Sequence, residues 1–532
     1  MSKTKAKTTS HIQTDKTIPL DKNELLNKYF WLVIPMFAAI YFIMSKYSVG
    51  FYQDDEIAQY LNMVQFWNDP GVILGNNPKP GYKIFLVLPA LISYDAVLLV
   101  NALIASVTVY MTYLLIKAYD INYAFFGAIL LGLQPLFFDL SFRSYSEIFT
   151  ALCLVSVLML YLRKNFVLSA LLMGYVFTIR QELALLIIVF FILFIKDKKF
   201  IAAICLAVFP VLYNLLGFIK TGDILFVLTE MQKVAGLNYK SQGLMHYFAV
   251  YIYIVGPVSL TLFLLGFFGF FQNKNNYSAY IKKYLLLYIT FISIFVVQML
   301  TMINDGPNPG NWRYLLHISP ICAVFATLGL NNLVIENFKK IGIIIAGIFA
   351  FIVLMFLSKA TDGFVLTDES SYSNLLITVA LIALAFMFSN KSKVKYLNNL
   401  SLSYLVLALI SLLLIFQPKK LSAENVSVKE VSEFINTLPD AKSKKILSNH
   451  SILQFYSSQL KFNPNSFSSI NKKSLDELPS GSIIVWENHY GYRPEWGSDV
   501  NIETFQNNPD YVLLKQFPAA DRRFIAYVFE KK

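Results

Sequence analysis

The sequence predicts an all-α polytopic membrane bundle of about thirteen transmembrane helices, followed by a small C-terminal α/β domain on the extracytoplasmic side. Three observations carry this prediction. The 532 residues are 56% hydrophobic and only 15% charged, with a mean hydropathy of +0.54, a balance that a water-exposed surface does not tolerate. Apolar runs, many of roughly 17 to 25 residues, the length of a bilayer crossing, recur as far as residue 416. Beyond Gln417 the composition turns polar for about 110 residues, enough for one small domain. Intrinsic disorder and a soluble enzyme core are both excluded. The net charge of +12 raises nucleic acid as a partner, but in a membrane chain surplus Lys and Arg first set orientation, and no nucleic acid is expected. Cys153, Cys205 and Cys322 lie inside apolar runs without metal-type spacing, so they give neither a disulfide framework nor a zinc site.

Taken in order, residues 1–28 form a polar tail with Lys3, Lys5, Lys7, Lys16, Lys22 and Lys28, expected in the cytoplasm, and the first span runs from Tyr29 to about Met44 without cleavage. Further spans are expected near 96–116, 121–140, 147–162, 200–219, 247–271, 284–303, 314–335, 341–358, 374–389 and 400–416. The stretch from Asn165 to Ile195 is too long for one crossing, since a straight helix would reach about 46 Å. Two short spans meeting at Arg180-Gln181-Glu182 return Lys196, Lys198 and Lys199 to the cytoplasm. With that hairpin, Lys117, Arg163, Lys164, Lys274, Lys282, Lys283, Lys339, Lys340, Lys391, Lys393 and Lys395 also face inward. Asp54, Asp55, Glu56, Asp69, Asp139, Glu147, Glu182, Asp223, Glu230, Asp305, Asp362, Asp368 and Glu369 face outward. The bundle then fills 29–417, residues 418–532 lie outside, and the bacterial cytoplasmic membrane is the expected host.

The long outer loop, 49–95, carries Asp54-Asp55-Glu56. Ile57, Tyr60, Leu61, Val64 and Trp67 then recur at helical spacing, so Asp55 or Glu56 begins a helix lying along the interface. The acids suit a helix N-terminus on that ground alone. The functional reading is a carboxylate at the water–membrane boundary that takes a proton from an acceptor hydroxyl. The basic segment from Asn76 to Lys83 follows, and Ile84 to Ile92, too short to span, dips into the interface or the bundle.

Basic groups share this outer face. Arg143 and Glu147 are four residues apart at a span end, which reads as a helix-end ion pair or as part of a site. Arg180 and Glu182 cap the short hairpin, where a water-filled recess is expected. Arg313 and His317 stand at i and i+4 on one helix face; His317 reads equally as packing, whereas the planar fork of Arg313 suits a phosphate. Nucleotide sugars and ATP are generally absent from the outer compartment, so an activated group used there arrives on a lipid phosphate.

The order of acidic triplet, amphipathic helix and basic loop resembles the first outer loop of the GT-C integral membrane glycosyltransferases. These include protein O-mannosyltransferases, dolichyl-phosphate-mannose-dependent mannosyltransferases and bacterial aminoarabinose transferases. Trp312-Arg313-Tyr314-Leu315-Leu316-His317-Ile318-Ser319-Pro320 is similar to a pattern at a late helix entrance of that family, and Arg143-Ser144-Tyr145-Ser146-Glu147 to an earlier one. The likeness covers roughly residues 30 to 335, and its specificity comes from motif order and sidedness together. It implies inverting transfer of a mannose-like hexose from a polyprenyl-phosphate donor to an acceptor hydroxyl on protein, glycan or lipid. The family's catalytic aspartate maps to Asp55, with Asp54 as rival and Glu56 beside them. Arg313, Arg143, Arg180 and Lys83 would hold the donor phosphate, with Glu147, Glu182, Tyr314 and His317 in support. No cofactor is expected, although some relatives place a divalent cation on the acidic pair.

In the last segment, Lys445 to Leu447, Ser482 to Trp486, Tyr511 to Gln516 and Phe524 to Phe529 read as strands, and Val428 to Leu438 and Ile452 to Leu460 as helices. Trp486, His489 and Tyr490 follow a strand and would contact acceptor. A transporter or flippase is the main rival reading, but carriers keep their charges at the midplane, whereas these sit at the rim. An O-antigen ligase or polymerase is the second, against which stands the acidic early loop. No phosphate-cradling glycine loop, zinc helix, nucleophile elbow or paired CxxC supports ATPase, protease or redox chemistry.

Overall fold

The computed structural model describes residues 27–75, 79–236, 238–272, 277–332, 394–494 and 497–532. The tail lysines up to Lys22, Asn76 to Pro78, Lys274, the spans expected near 341–358 and 374–389, and the charges from Lys339 to Lys393 lie outside the described residues.

Among the described residues, five helices are long and apolar enough to cross a membrane: Asn27–Tyr47, Tyr94–Ala118, Phe200–Thr221, His246–Phe267 and Trp312–Asn332. A sixth crossing results if Tyr277–Lys283 and Leu285–Leu300, bent by 73°, count as one span. The larger number expected from the apolar runs also counted short and broken pieces. The run at 121–140 divides into Ala124–Gly132 and Pro135–Leu140, because Pro135 lacks the amide a continuing helix needs and holds Gln134 extended at ψ 132°. Ser146–Leu162, Phe166–Ile179 and Leu400–Leu414 are apolar but short.

The hairpin turns where the charges predicted it. Phe166–Ile179 ends at Arg180, a 3-10 turn spans Gln181–Leu183, and Ala184–Lys196 runs back. At the far end Tyr161 donates to Asp197 at 2.5 Å, the rings of Tyr119 and Tyr284 lie 5.6 Å apart, and Asn331 reaches the carbonyl of Asn122 at 3.0 Å. These contacts gather Lys117, Arg163, Lys164, Lys196, Lys198, Lys199, Lys282 and Lys283 at one end of the bundle. The acids of the first loop, with Asp139, Glu147 and Glu182, gather at the other.

The centre of the bundle pairs His246–Phe267 with Ser319–Asn332 at close range. A Cβ on Gly266 would stand 1.8 Å from the Phe325 carbonyl, and one on Gly329 would stand 1.9 Å from that of Leu262. Only glycine permits this approach, which substitutes backbone packing for the hydrophobic drive absent between helices in lipid.

The C-terminal domain is built on a mixed sheet. Its strands are β1 (Ile446–Ser448), β2 (Phe467–Ser468), β3 (Ile483–Glu487), β4 (Tyr492–Arg493), β5 (Ser498–Asp499), β6 (Tyr511–Pro518) and β7 (Ile525–Lys531). The sheet order is β2-β1-β3-β7-β6, with β1 parallel to β2 and β3, and β7 antiparallel to β3 and β6. The four expected strands and both expected helices, Ala423–Thr437 and Ser451–Gln459, are present, while β2 and the β4–β5 hairpin are too short to show a period of two. Val431, Ile435, Ile452 and Leu453 on the helices bury Ile446, Ile483, Val485 and Val528 on one face, and Leu447, Ile484, Trp486 and Phe529 pack on the other.

The domain is seated on the first loop. Gly50 donates to the carbonyl of Lys419 at 2.9 Å, and the Lys419 amide donates to Ser48 at 2.9 Å. Phe455 meets the rings of Phe51, Tyr60 and Tyr94 edge-on at 6.0, 5.9 and 5.3 Å. This seat brings His489 and Tyr490 over the acidic triplet.

Candidate active site

The helix Asp55–Gln65 begins within the triplet, with Asp54 as its N-cap. Successive helical residues point about 100° apart, so the three acids face three different neighbourhoods. Glu56 turns inward and is 1% exposed. It accepts from Tyr94 Oη at 2.5 Å and from the Tyr52 amide at 3.2 Å, with Arg143 Nη1 at 3.6 Å. Asp55 points along the bundle end, its side chain 52% exposed, with Oδ2 2.9 Å from Arg313 Nη2. Asp54 faces the C-terminal domain and accepts from Tyr490 Oη at 2.8 Å.

Arg143 does not pair with Glu147, because residues 143–145 leave the helix before Ser146–Leu162 starts, which breaks the i, i+4 spacing. Its guanidinium instead binds the Gly50 carbonyl at 2.6 Å, Ser48 Oγ at 2.9 Å and Asp139 at 3.3 Å. With its donors spent on protein and its surface 3% exposed, Arg143 ties the loop to the bundle and has no free fork to offer a phosphate.

Arg180 Nη1 lies 2.9 Å from Glu147 and Nε 2.7 Å from Glu182, with the Tyr314 ring covering the guanidinium at 5.1 Å. The expected water-filled recess is therefore closed here: Arg180 and Glu147 are each 1% exposed. Nη2 of Arg180 has no hydrogen-bond partner among the described residues. Arg313 Nε stands 3.6 Å from Glu147, and the guanidinium stacks on Tyr145 at 5.0 Å. A continuous chain of charge thus runs Asp55–Arg313–Glu147–Arg180–Glu182, from water into the protein. Three carboxylates against two guanidiniums leave a formal −1.

Arg313 and His317 do not share a face. Trp312–Ile318 is a 3-10 helix, in which residues four apart diverge by about 120°. His317 is fully buried, and neither ring nitrogen has a hydrogen-bond partner among the described residues.

Two lysines from the first loop, Lys79 and Lys83, add basic groups beside this chain of charge. Lys83 is 0% exposed, and its Nζ has no hydrogen-bond partner among the described residues. Burial, with Lys79 close by, pushes its pKa well below the usual lysine range. Lys79, in the left-handed region at φ 56°, lies in the field of Arg180, Glu182, Glu147 and Arg313. Burial and the neighbouring Arg180 bring it down to about 8. Two crowded lysines, of which Lys83 has no hydrogen-bond partner among the described residues, lie beside two arginines and form a cradle that can hold an anion.

Lys79 and Tyr145 were not singled out as site residues by spacing; the only advance signal was a basic residue before Pro80 and a tyrosine inside the Arg143–Glu147 motif. Trp486 lies in the domain core, where Nε1 donates to the Val500 carbonyl at 3.0 Å, so it is out of reach of an acceptor. His489 and Tyr490 stack at 3.9 Å and face the loop, held by their amides on the Glu487 carboxylate at 2.6 and 2.9 Å. Glu424 and His450, also not anticipated, complete that cluster: Glu424 Oε1 lies 2.7 Å from His489 Nδ1 and 3.0 Å from His450 Nε2.

The apolar bundle, loop helix and seated C-terminal domain share an overall fold with solved structures of known proteins. Two solved structures of ArnT from Cupriavidus metallidurans are similar to it. The form bound to undecaprenyl phosphate aligns at a TM-score of 0.58 and 13% identity over 94% of this chain and 98% of that one. The apo form aligns at 0.58 and 12%, over 95% and 98%. No protein-family model and no curated protein sequence matches the chain.

Proposed function

We propose that the protein is a membrane glycosyltransferase that moves a sugar from a polyprenyl-phosphate carrier to an acceptor hydroxyl on the extracytoplasmic face, with inversion. The observation that carries this reading is Arg313, which holds Asp55, the most exposed acid of the charge chain, while Lys83 and Arg180 on the inner side keep donors without a hydrogen-bond partner among the described residues. A sugar phosphate entering this cradle takes the forked guanidinium of Arg313 and the ammonium of Lys83. Asp55, released from Arg313, then accepts the proton of the acceptor hydroxyl as its oxygen attacks the anomeric carbon. The bond from that carbon to the phosphate oxygen breaks, and the polyprenyl phosphate leaves with the electron pair. A single displacement of this kind inverts the anomeric centre, and the residues supply its acid–base and charge requirements without a cofactor.

The lipid-phosphate donor class is supported by the undecaprenyl phosphate in the similar ArnT structure. The segregation of lysines from acids supports an orientation with the basic end in the cytoplasm and the C-terminal domain outside, in a bacterial cytoplasmic membrane. A mannose-like hexose is the proposed sugar, and a protein, glycan or lipid hydroxyl the acceptor. The test is transfer of labelled hexose from a polyprenyl-phosphate donor by purified protein. The expected result is turnover by the parent and none by Asp55→Asn; equal transfer by both overturns the reading.

A further inference from the structure

We propose that the two turns at the lysine-bearing end of the short hairpin form a binding site for an anionic phospholipid headgroup. The first turn, residues 163–165, joins Ser146–Leu162 to Phe166–Ile179, and the second, residues 197–199, joins Ala184–Lys196 to Phe200–Thr221. They are built alike. Lys164 and Lys198 stand in the left-handed region at φ 59° and 58°, and the amides that follow reach back five residues, Asn165 to the Leu160 carbonyl at 2.9 Å and Lys199 to that of Phe194 at 2.8 Å. Both turns thus carry a cation where a glycine would fold at lower cost.

Side chains lock the turns together. Tyr161 donates to Asp197 at 2.5 Å, the Phe194 ring lies 5.6 Å from that of Tyr161 and 6.2 Å from that of Phe166, and the Lys199 ammonium covers the Phe166 ring at 5.2 Å. One turn is within a side chain's length of the other, so a single headgroup can take cations from both. Those cations are Arg163, Lys164, Lys196, Lys198 and Lys199, all exposed. None forms an ion pair among the described residues, whereas Lys46, Lys233, Lys429 and Lys444 on other surfaces each reach an acid. Asp197, the one acid in either turn, is taken by Tyr161. The charge left over is complementary to an anion from outside the protein.

The surroundings make that anion a lipid. Val167, Leu168, Phe200, Ile201 and Ile204, close to the turns along both helices, are exposed, Ile201 and Ile204 at 71% each. A molecule that touches the cations has hydrocarbon beside it, which suits acyl chains and not a free phosphate or a nucleic acid. The hairpin helices, 14 and 13 residues long, rise about 21 and 20 Å against roughly 30 Å of bilayer hydrocarbon. With Arg180 fixed in the candidate site at the other end, the bilayer thins toward the turns or the lysine stems reach out along it. Either adjustment sets the ammonium groups among lipid phosphates. The lipid site stands independently of the sugar-transfer reading, because none of its residues belongs to the candidate active site.

The test is native mass spectrometry of the full-length protein, delipidated in detergent and mixed with phosphatidylglycerol or phosphatidylcholine. The parent should retain phosphatidylglycerol at least ~10-fold more tightly than phosphatidylcholine. A five-site variant, Arg163→Gln, Lys164→Asn, Lys196→Gln, Lys198→Asn and Lys199→Gln, should lose that preference, with asparagine at the two left-handed positions to keep the turns. Lys282→Gln combined with Lys283→Gln, exposed cations at the same end but outside the turns, should leave it unchanged. Ionic strength provides a reading that needs no variant: raising ammonium acetate from about 0.1 to about 1 M should remove the preference in the parent. Equal retention of the two lipids by the parent, a preference that survives in the five-site variant or in high salt, or equal loss in the Lys282 and Lys283 variant overturns the proposal. So does soluble glycerol phosphate held as tightly as phosphatidylglycerol.

Discussion

Arg313 reaches back 258 positions along the chain to place Nη2 2.9 Å from Asp55 Oδ2, and through Nε it stands 3.6 Å from Glu147. One guanidinium therefore serves both the exposed acid and the buried one. A phosphate that claims its fork must displace a carboxylate, and Asp55, half in water, yields at lower cost than Glu147. On the proposed function, donor binding and liberation of the base would be a single event.

The three acids differ in what their loss should do. Asp55→Asn removes an exposed ion pair of small structural worth, so the thermal midpoint should hardly change while transfer falls by about 10²–10⁴-fold. Glu56→Gln breaks a buried pair with Arg143, and folding should lose about 3–5 kcal/mol. Paired thermal unfolding and turnover assays on these variants and Asp54→Asn check the division. Loss of transfer in Asp54→Asn alone would move the base to that residue.

Arg313→Lys keeps the charge but loses the planar fork. A lysine ammonium cannot span both Asp55 and Glu147, nor grip two phosphate oxygens in one plane. The donor KM should rise by about 10-fold or more, with kcat also reduced because the leaving phosphate loses the planar fork that would stabilise its developing charge. Steady-state kinetics with varied donor reads both; unchanged constants would remove Arg313 from the donor site.

Much of this was legible in the sequence, and what was not has identifiable causes. The hairpin at Arg180 followed from helix length and the placement of Lys196, both local quantities. The association of Asp55 with Arg313 was foreseen only as a shared membrane face, since sidedness fixes the leaflet but not the partner. The Arg143–Glu147 pairing failed because helical spacing was assumed through residues 143–145, which are not helical. Arg313 and His317 were placed on one face by an α-helical count that the 3-10 segment Trp312–Ile318 does not obey. Tyr490 on Asp54 joins residues 436 apart, a contact that no periodicity encodes.

Lys83 offers a prediction with opposite signs. Its Nζ is buried without a hydrogen-bond partner among the described residues, so the donor-free protein pays to keep it. Lys83→Met should raise the thermal midpoint of the donor-free protein and weaken polyprenyl-phosphate binding by about 10-fold or more. Thermal unfolding with and without polyprenyl phosphate measures both, and a fall in the donor-free midpoint would show that the ammonium is structurally paired.

Lys79 should set an alkaline limit on donor binding. Burial and Arg180 hold its pKa at about 8, and a bound phosphate favours its charged form, so binding takes up a proton. The Lys79 share of affinity should therefore be flat below pH 8 and fall above it, by at most about 10-fold per unit. Lys79→Arg, charged throughout, should remove that alkaline fall. Calorimetric titrations on either side of pH 8 report the slope.

The junction between the domain and the loop should respond to pH through His489 and Glu424. The Glu424 hydrogen bond raises His489 above its ordinary 6.5. Burial pushes the Glu424 carboxyl up, but hydrogen bonds from His450 and His489 outweigh it and hold it at about 2, below the ordinary 4.5. The His489 share of stability is thus complete below 6.5 and lost as pH rises through its raised value. The Glu424 share is complete above 4.5 and lost as pH falls toward 2. The contact is strongest between those two ordinary values. Glu487, raised by burial, also disfavours high pH in both parent and variant, and Asp54 and His450 face the same cluster, so the comparison is with His489→Ala. From about pH 6 to pH 8.5, the thermal midpoint of the parent should decline relative to the variant. Parallel profiles of parent and variant would remove His489 from the electrostatics of the junction.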